Sequence, residues 1–118
     1  MEGIEMDSIL TSIKQMLGIT EEYEHFDMNL ILLINSAFSI LNQLGVGVKG
    51  FTISDDSAVW TDFLEDETGL EMVKEYVYLK VNLAFDPPTS SFVLAAKERI
   101  LKEVEWRINV YVDPSKQT

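Results

Sequence analysis

The hydrophobic residues of this chain recur at helical spacing, and no segment keeps the apolar–polar alternation that is typical of a half-buried strand. The pattern predicts five helices. The first runs from about Ser8 to Leu17. Asp7 is its expected N-cap, because a carboxylate accepts hydrogen bonds from first-turn amides, and Gly18 is its expected left-handed C-cap. Its apolar face carries Ile9, Ile13, Met16 and Leu17.

The second predicted helix has Asp27 as its N-cap, runs to about Leu44 and stops at Gly45. No charged residue lies between Asp27 and Lys49, and apolar residues cover nearly the whole circumference of the helix. A helix of this kind is buried on most sides. We therefore expect it to be the central helix of the domain, or a helix that a neighbouring subunit completes.

A Gly-rich irregular loop follows at 45–54, where three glycines within six residues exclude a regular helix. Within this loop, Phe51–Ile53 can form a short extended piece. Asp55, Asp56 or Ser57 is then expected to cap a short third helix. The apolar residues of that helix are Val59, Trp60, Phe63 and Leu64.

Two longer helices complete the predicted fold. The fourth opens at Thr68, with a glutamate three positions later as in a capping box, and ends before Pro87 because a residue preceding proline is driven out of the helical region. The fifth restarts at Thr89 or Ser90 and runs to about Val110. The expected core faces are Leu70, Val73, Val77, Val81 and Ala84 or Phe85 in the fourth helix, and a stripe at spacings of four, Phe92, Ala96, Ile100, Val104 and Ile108, in the fifth.

These elements predict an all-α fold, a single-domain bundle of four to five helices with one Gly-rich irregular loop. The domain spans 1–118, with short flexible ends expected at about 1–6 and 113–118. A chain of this length buries roughly two-thirds of its unfolded surface, so it needs no disulfide or metal to stay folded. It contains no cysteine, which excludes thiol chemistry and suits a reducing compartment. The acidic N-terminus does not resemble a secretory signal, and no apolar run approaches the roughly 20 residues of a membrane span, so a soluble intracellular protein is expected.

The net charge narrows the choice of partners. Nine Lys and Arg residues stand against twenty Asp and Glu residues, which gives a formal charge of −11. Affinity for nucleic acid comes largely from basic side chains that neutralise phosphates, so tight DNA or RNA binding is not expected. Anionic membrane surfaces are disfavoured for the same reason. The charge is better suited to a basic protein partner, or to a position near DNA where adhesion would be harmful.

Motifs for catalysis are absent from the sequence. There is no Gly-rich phosphate loop with lysine, no nucleophile elbow and no histidine pair at metal spacing, and His25 is the single histidine. Seven acidic residues lie within 55–71 with no basic residue before Lys74, but their spacing matches no EF-hand. This stretch is a solvated helix end, a protein-binding face or a metal site, in decreasing order of preference. We predict no catalytic, cofactor-binding or metal-binding residues.

Three segments of the chain carry a resemblance to a known family. They are VKEYVYLKV at 73–81, FDPPTSSF at 85–92 and KEVEWR at 102–107. The chain resembles the small head–tail connector (adaptor) proteins of phages that infect Gram-positive hosts. The likeness extends over about 8–110, and its specific part is the FDPPTSSF string with the downstream EWR.

The resemblance implies a ring of about a dozen copies beneath the portal that extends the DNA channel toward the tail. The implied partners are other copies of the chain, the portal protein and a downstream head-completion or tail protein. DNA would pass without sequence-specific binding, and neither a membrane nor a cofactor is involved. The implied location is the virion neck of a phage or prophage, with assembly in the host cytoplasm.

The contact elements that the resemblance implies are the loop at about 45–56 and the C-terminal segment at about 108–118. The candidate interface residues in them are Val48, Phe51, Ile53, Ile108 and Tyr111. The loop either projects or folds back on the core. If it projects, replacing Phe51 or Ile53 with Asp should block assembly and leave the monomer folded.

Two other functions are compatible with the sequence. One is an acidic regulatory module that sequesters a basic partner, with an affinity that falls steeply with salt. The other is a small metal-dependent enzyme that uses the acidic residues of 55–71, which would be stabilised by a divalent cation.

Overall fold

A computed structural model gives the fold of the chain and describes residues 8–117. Within this range the chain forms five α-helices and no strand, which confirms the predicted all-α bundle. The helices are α1 Ile9–Met16, α2 Asp27–Gln43, α3 Trp60–Phe63, α4 Glu67–Phe85 and α5 Ser91–Val112, and a 3₁₀ helix follows at Pro114–Gln117.

The longer helices are arranged around α4. It lies between α2 and α5 and packs along both of them, while α1 packs on α2. The largest fully buried side chains are Trp60, Tyr76, Phe38 and Phe63. They come from α3, α4 and α2, so the four-residue helix α3 supplies two of the largest core residues.

The ends of the helices follow the predicted glycines and prolines. Gly18 and Gly45 both have a positive φ immediately after a helix, which is the conformation that glycine adopts at least cost. Helix α4 ends at Phe85, just before the Asp86–Pro87–Pro88 segment. Helix α5 begins after Ser90, whose hydroxyl accepts a hydrogen bond from the Val93 amide, as expected for an N-cap.

Four predicted N-caps are wrong by one or more residues. Ser8 caps α1 by accepting from the Thr11 amide, and Asp7 lies outside the described residues. Asp66, two residues before Thr68, caps α4 by accepting from the Gly69 amide. Neighbouring Ser, Thr and Asp residues have almost equal capping preference, so spacing alone cannot choose among them.

The other two corrections concern α2 and α3. Asp27 is the first residue of α2 and not its cap, and it is held by an ion pair instead. Helix α3 starts later than Asp55, Asp56 or Ser57 allows, with Val59 in the N-cap position. The Val59 amide donates to a carboxylate oxygen of Asp62 at 3.0 Å, so the acid that closes this helix end lies inside the helix.

The predicted core stripe of α5 is only half correct. Val104 and Ile108 are 1% exposed, whereas Ile100 is 42% and Phe92 is 81% exposed. Each step of four residues turns about 40° past a full helical turn, so a stripe built from four such steps drifts about 160° around the helix. In α4 the predicted face holds at Leu70, Val73, Val77 and Val81, whereas Ala84 is exposed and Phe85 is half-buried.

A buried ion pair connects α1 to the start of α2. The Lys14 side chain is 3% exposed, and its ammonium lies 2.9 Å from a carboxylate oxygen of Asp27. The same ammonium donates to the backbone carbonyl of Glu21 at 2.9 Å. A buried charge is tolerated only when it is paired and hydrogen-bonded, so these two contacts fix the path of the acidic linker between the helices.

We predict that Lys14→Met destabilises the protein by about 2–3 kcal/mol, because it leaves Asp27 without its counter-charge. The Asp27 side chain is 26% exposed, which keeps the loss below that of a fully buried pair. The double variant Lys14→Met/Asp27→Leu should recover most of the stability, since an apolar pair replaces an ion pair at little cost. Urea unfolding measures both effects.

The matched control is Lys49→Met at an exposed position, where the expected change is below about 0.5 kcal/mol. A double variant that is as unstable as Lys14→Met alone would contradict this account of the pair.

Candidate interaction surfaces

The Gly-rich loop is hydrogen-bonded to α2 by two asparagine side chains. The Asn42 amide group donates to the carbonyls of Val46 and Val48 at 2.9 and 3.1 Å, and its oxygen accepts from the Gly50 amide at 2.9 Å. Two helical turns earlier on α2, Asn35 exchanges two hydrogen bonds with the backbone of Ile53, at 2.8 and 2.9 Å. The loop therefore folds back on the core, which decides between the two predicted alternatives.

An aromatic cluster lies beneath the loop. The ring of Phe51 is centred 5.1 Å from that of Phe38 and 5.3 Å from that of Phe63, in the tilted and edge-on arrangements that aromatic pairs prefer. Gly47 has φ +81, and a Cβ there would collide with the Phe63 ring. The extended piece predicted at Phe51–Ile53 forms no strand.

The five candidate interface residues are not equally accessible. Val48 is 53% exposed, Phe51 is half-buried against its aromatic neighbours, and Tyr111 is partly buried. Ile53 and Ile108 belong to the core of their own chain, with exposures of 4% and 1%. The expectation that Ile53→Asp leaves the monomer folded is therefore wrong, because a charge there would be buried without a partner. The contact role of Val48, Phe51 and Tyr111 stays a prediction.

Tyr111 connects the end of α5 to the start of α4. Its hydroxyl donates to a carboxylate oxygen of Asp66 at 2.7 Å, and the same oxygen accepts from the Gly69 amide at 3.0 Å. The absence of a side chain at Gly69 makes room for the phenol, since a Cβ there would lie 2.6 Å from it. The hydrogen bond from Tyr111, and to a lesser extent that from the Gly69 amide, holds the pKa of Asp66 below its usual range. The bond to Asp66 raises the pKa of Tyr111.

The acidic stretch at 55–71 has local structural roles. Asp66 caps α4 and Asp62 binds the amide at the start of α3. Asp55 accepts from the hydroxyl and the amide of Ser57, and these bonds hold the pKa of Asp55 below its usual value. In the part of the chain that the structure describes, no three His, Cys, Asp or Glu side chains are grouped so that they could hold a metal ion.

Acidic side chains also surround the Lys14–Asp27 pair. A cavity of about 290 Å³ there is lined from three segments, the end of α1, the linker with the start of α2, and the loop before α3. Its acidic lining residues are Glu21, Glu24, Asp27, Asp55 and Asp56. His25 lies on the exposed linker nearby, with its ring centred 4.9 Å from that of Phe26.

Two apolar surfaces lack cover within the monomer. We define the α2 patch as Met28, Leu32, Leu33 and Ala84; Met28 is 70% and Leu32 is 66% exposed. We define the α5 strip as Phe92, Val93 and Ile100, with Phe92 81% exposed. The sequence indicates both helices only in general terms: a neighbouring subunit is one of the two ways expected to cover α2, and the apolar stripe predicted for α5 includes Phe92 and Ile100, but none of these residues is among the five candidate interface residues. The available signal was the near-complete apolar circumference of α2 and the apolar residues of α5 that fall outside its core-facing line.

No helix among residues 8–117 combines the length and the apolar content that crossing a bilayer requires.

We predict that Asn42→Asp destabilises the protein by about 2 kcal/mol or more, because it places a carboxylate against the carbonyls of Val46 and Val48. The control is Asn29→Asp, the same change at an exposed first-turn position of α2, where an acid interacts favourably with the helix dipole. Urea unfolding of both variants measures the difference. Equal stabilities would show that Asn42 does not hold the loop.

We predict that the contribution of the Tyr111 hydroxyl depends on pH. Asp66 has a lowered pKa in the folded state, so its stabilising effect is present above the unfolded pKa of about 4 and is lost as the pH falls through the lower folded value. Tyr111→Phe should therefore lower Tm near neutral pH and have a smaller effect on Tm in strong acid, where the neutral carboxyl of Asp66 accepts the hydrogen bond more weakly. Tyr23→Phe, at an exposed ring, is the control. A Tm loss that is independent of pH would contradict the bond to ionised Asp66.

Comparison with known proteins identifies one matching family. Residues 9–115 match the family model described as phage connector protein. No curated protein and no solved structure gives a match. The matched region includes all five helices and the first half of the 3₁₀ helix, and it contains the three segments on which the sequence resemblance rests. With nearly the whole chain matched, the protein belongs to the phage connector protein family.

Proposed function

We propose that the chain is a structural adaptor that assembles as a ring of about a dozen copies under the portal and extends the DNA channel toward the tail. The match of residues 9–115 to the connector family is the observation that carries this proposal. The family is structural and its members are virion components. The proposed location is the virion neck, after assembly in the host cytoplasm of a phage or prophage.

The surface of the monomer supports an assembly role. The α2 patch and the α5 strip expose large apolar side chains, of which Phe92, Met28 and Leu32 are each at least 66% exposed. Exposed apolar clusters of this kind mark protein–protein contacts. The proposed partners are other copies of the chain, the portal protein and a downstream head-completion or tail protein.

The charge of −11 supports passage of DNA without specific binding. A channel wall that repels phosphate lets DNA slide, whereas a basic wall would bind it and release counterions. Several carboxylates form hydrogen bonds that stabilise the fold and do not lie in a catalytic cleft. Asp66 receives hydrogen bonds from Tyr111 and Gly69, and Glu105 accepts from the Tyr76 hydroxyl at 3.3 Å. We therefore propose that the protein is not an enzyme.

A second candidate function is an acidic regulatory module that sequesters a basic partner. The observation that favours it is the cavity lined by Glu21, Glu24, Asp27, Asp55 and Asp56, which could receive a lysine or arginine side chain. This function requires a monomer or dimer whose affinity falls steeply with salt, because exposed charges are screened beyond about 10 Å at 0.1 M ionic strength.

We predict that the purified protein binds the portal protein of the same genome with about a dozen copies per portal ring. Native mass spectrometry gives the mass of the complex, and the mass of the portal alone shows that its ring is intact. Val48→Asp, at the exposed tip of the loop, tests the loop contact against Ser39→Asp, at an exposed polar position of α2.

Loss of copies with Val48→Asp and not with Ser39→Asp would place the loop in the contact. An intact portal ring that binds no copies of the wild type would contradict the connector function and favour the regulatory module.

A further inference from the structure

Helix α5 packs on α4 but buries few of its own residues completely. All 22 of its residues are described, and only Val104 and Ile108 among them are buried. Helix α4 has nine buried residues out of 19. An amphipathic helix is stabilised mainly by the apolar face that it packs. The N-terminal half of α5, where the α5 strip lies, therefore has apolar surface that the monomer does not use.

The second uncovered surface lies on α2 and the last turn of α4. Leu32, Leu33 and Ala84 of the α2 patch line a shallow cavity of about 440 Å³, together with Asn29 and Phe85. Since α4 lies between α2 and α5, the α2 patch and the α5 strip are carried by the two helices that flank it. The two surfaces differ: residues of the α2 patch line a shallow depression, whereas the α5 strip begins with the 81% exposed side chain of Phe92.

Opposite charges flank the two surfaces. Met28 of the α2 patch also borders the acidic cavity that includes Glu24 and Asp27. On α5, Arg99 follows Phe92 by seven residues and Arg107 follows Ile100 by seven, so each arginine shares a helix face with a residue of the α5 strip. Residues 97–107 contain four of the nine Lys and Arg residues and three glutamates, so this segment has a net charge of +1 in a chain whose net charge is −11.

We infer that the α5 strip of one copy docks on the α2 patch of the next copy. This inference rests on the proposed ring and names the contact between its subunits. The exposed apolar side chains of the α5 strip meet the depression of the α2 patch, and the arginines of α5 face the acids beside Met28. Because the two surfaces differ, the contact is head-to-tail, and such contacts close into rings when the rotation between copies permits.

The surface of the monomer is large enough for this arrangement. A standard interface covers about 800 Å² on each partner. Each copy in a ring makes two contacts, one through each surface, and the described chain exposes 7201 Å². The two contacts would therefore cover about a fifth of the surface, and much of the acidic remainder stays in solvent.

The absence of cysteine from the chain allows a clean cross-linking test. The double variant Leu32→Cys/Phe92→Cys places one thiol on each surface, at positions that are 66% and 81% exposed, so folding should be unaffected. It is treated with a short thiol-specific cross-linker on the portal, and also alone at high concentration. We expect a ladder of dimers, trimers and larger products on a denaturing gel in at least one of the two conditions. An equimolar mixture of the two single variants should give dimers only, because each copy then has one thiol.

Two results would overturn the inference. Dimers from either single variant alone would show that the same surface meets itself, and the absence of cross-links from the double variant in both conditions would place the contact elsewhere. The control pair Leu32→Cys/Thr61→Cys, with the second thiol at an exposed position of α3, should give no ladder. Portal binding by native mass spectrometry is scored separately, so that failure of the connector function and failure of this contact are distinguished.

Discussion

The structure depends on covering helix α2, which is apolar on nearly all sides and carries no charge between Asp27 and Lys49. Helix α4 packs along one side of it and α1 packs on another. The Gly-rich loop covers a third side, because Asn35 and Asn42 bind the loop backbone and the ring of Phe51 reaches Phe38. What stays open is the outer edge at Met28 and Leu32. The monomer therefore leaves part of its most apolar helix exposed to water, which is unfavourable. The proposed assembly would bury this surface.

Charges in this chain have separate structural and surface roles. The buried ammonium of Lys14 fixes the linker between α1 and α2 through Asp27 and the Glu21 carbonyl. Asp66 holds two helix ends together, since it accepts from the Gly69 amide in α4 and from the Tyr111 hydroxyl in α5. The remaining carboxylates of the linker and of 55–71 lie mostly in solvent, whereas α5 carries four basic residues against three glutamates and is weakly basic. This separation gives a strongly acidic chain one region where another acidic copy can approach without strong repulsion.

Local patterns in the sequence were sufficient to predict the helices and where the first, second and fourth of them end, because Gly18, Gly45 and Pro87 act on their immediate neighbours, but they did not fix the N-caps. Features that depend on distant residues were not predictable. Asn35 binds Ile53 across 18 positions, and Ser12 accepts from the Trp60 indole across 48, so the path of the loop and the burial of α3 follow from tertiary contacts. The predicted core stripe of α5 was partly wrong for a geometric reason, because residues spaced by four move about 40° around the helix at each step. Ile53 and Ile108 were chosen as interface residues from loop position and resemblance, which carry no information on burial.

The net charge of the chain also explains why the proposed ring would need the portal as a template. Copies that each carry a charge of −11 repel one another in solution, and one contact of standard size must offset that repulsion as well as the loss of translational freedom. In the proposed assembly, a portal ring that held copies side by side would make the contact between neighbours effectively intramolecular and raise their effective concentration. Contacts too weak to form a ring in solution would then become sufficient on the portal. A head-to-tail contact gains most from this arrangement, because closing the ring adds one contact without adding another copy.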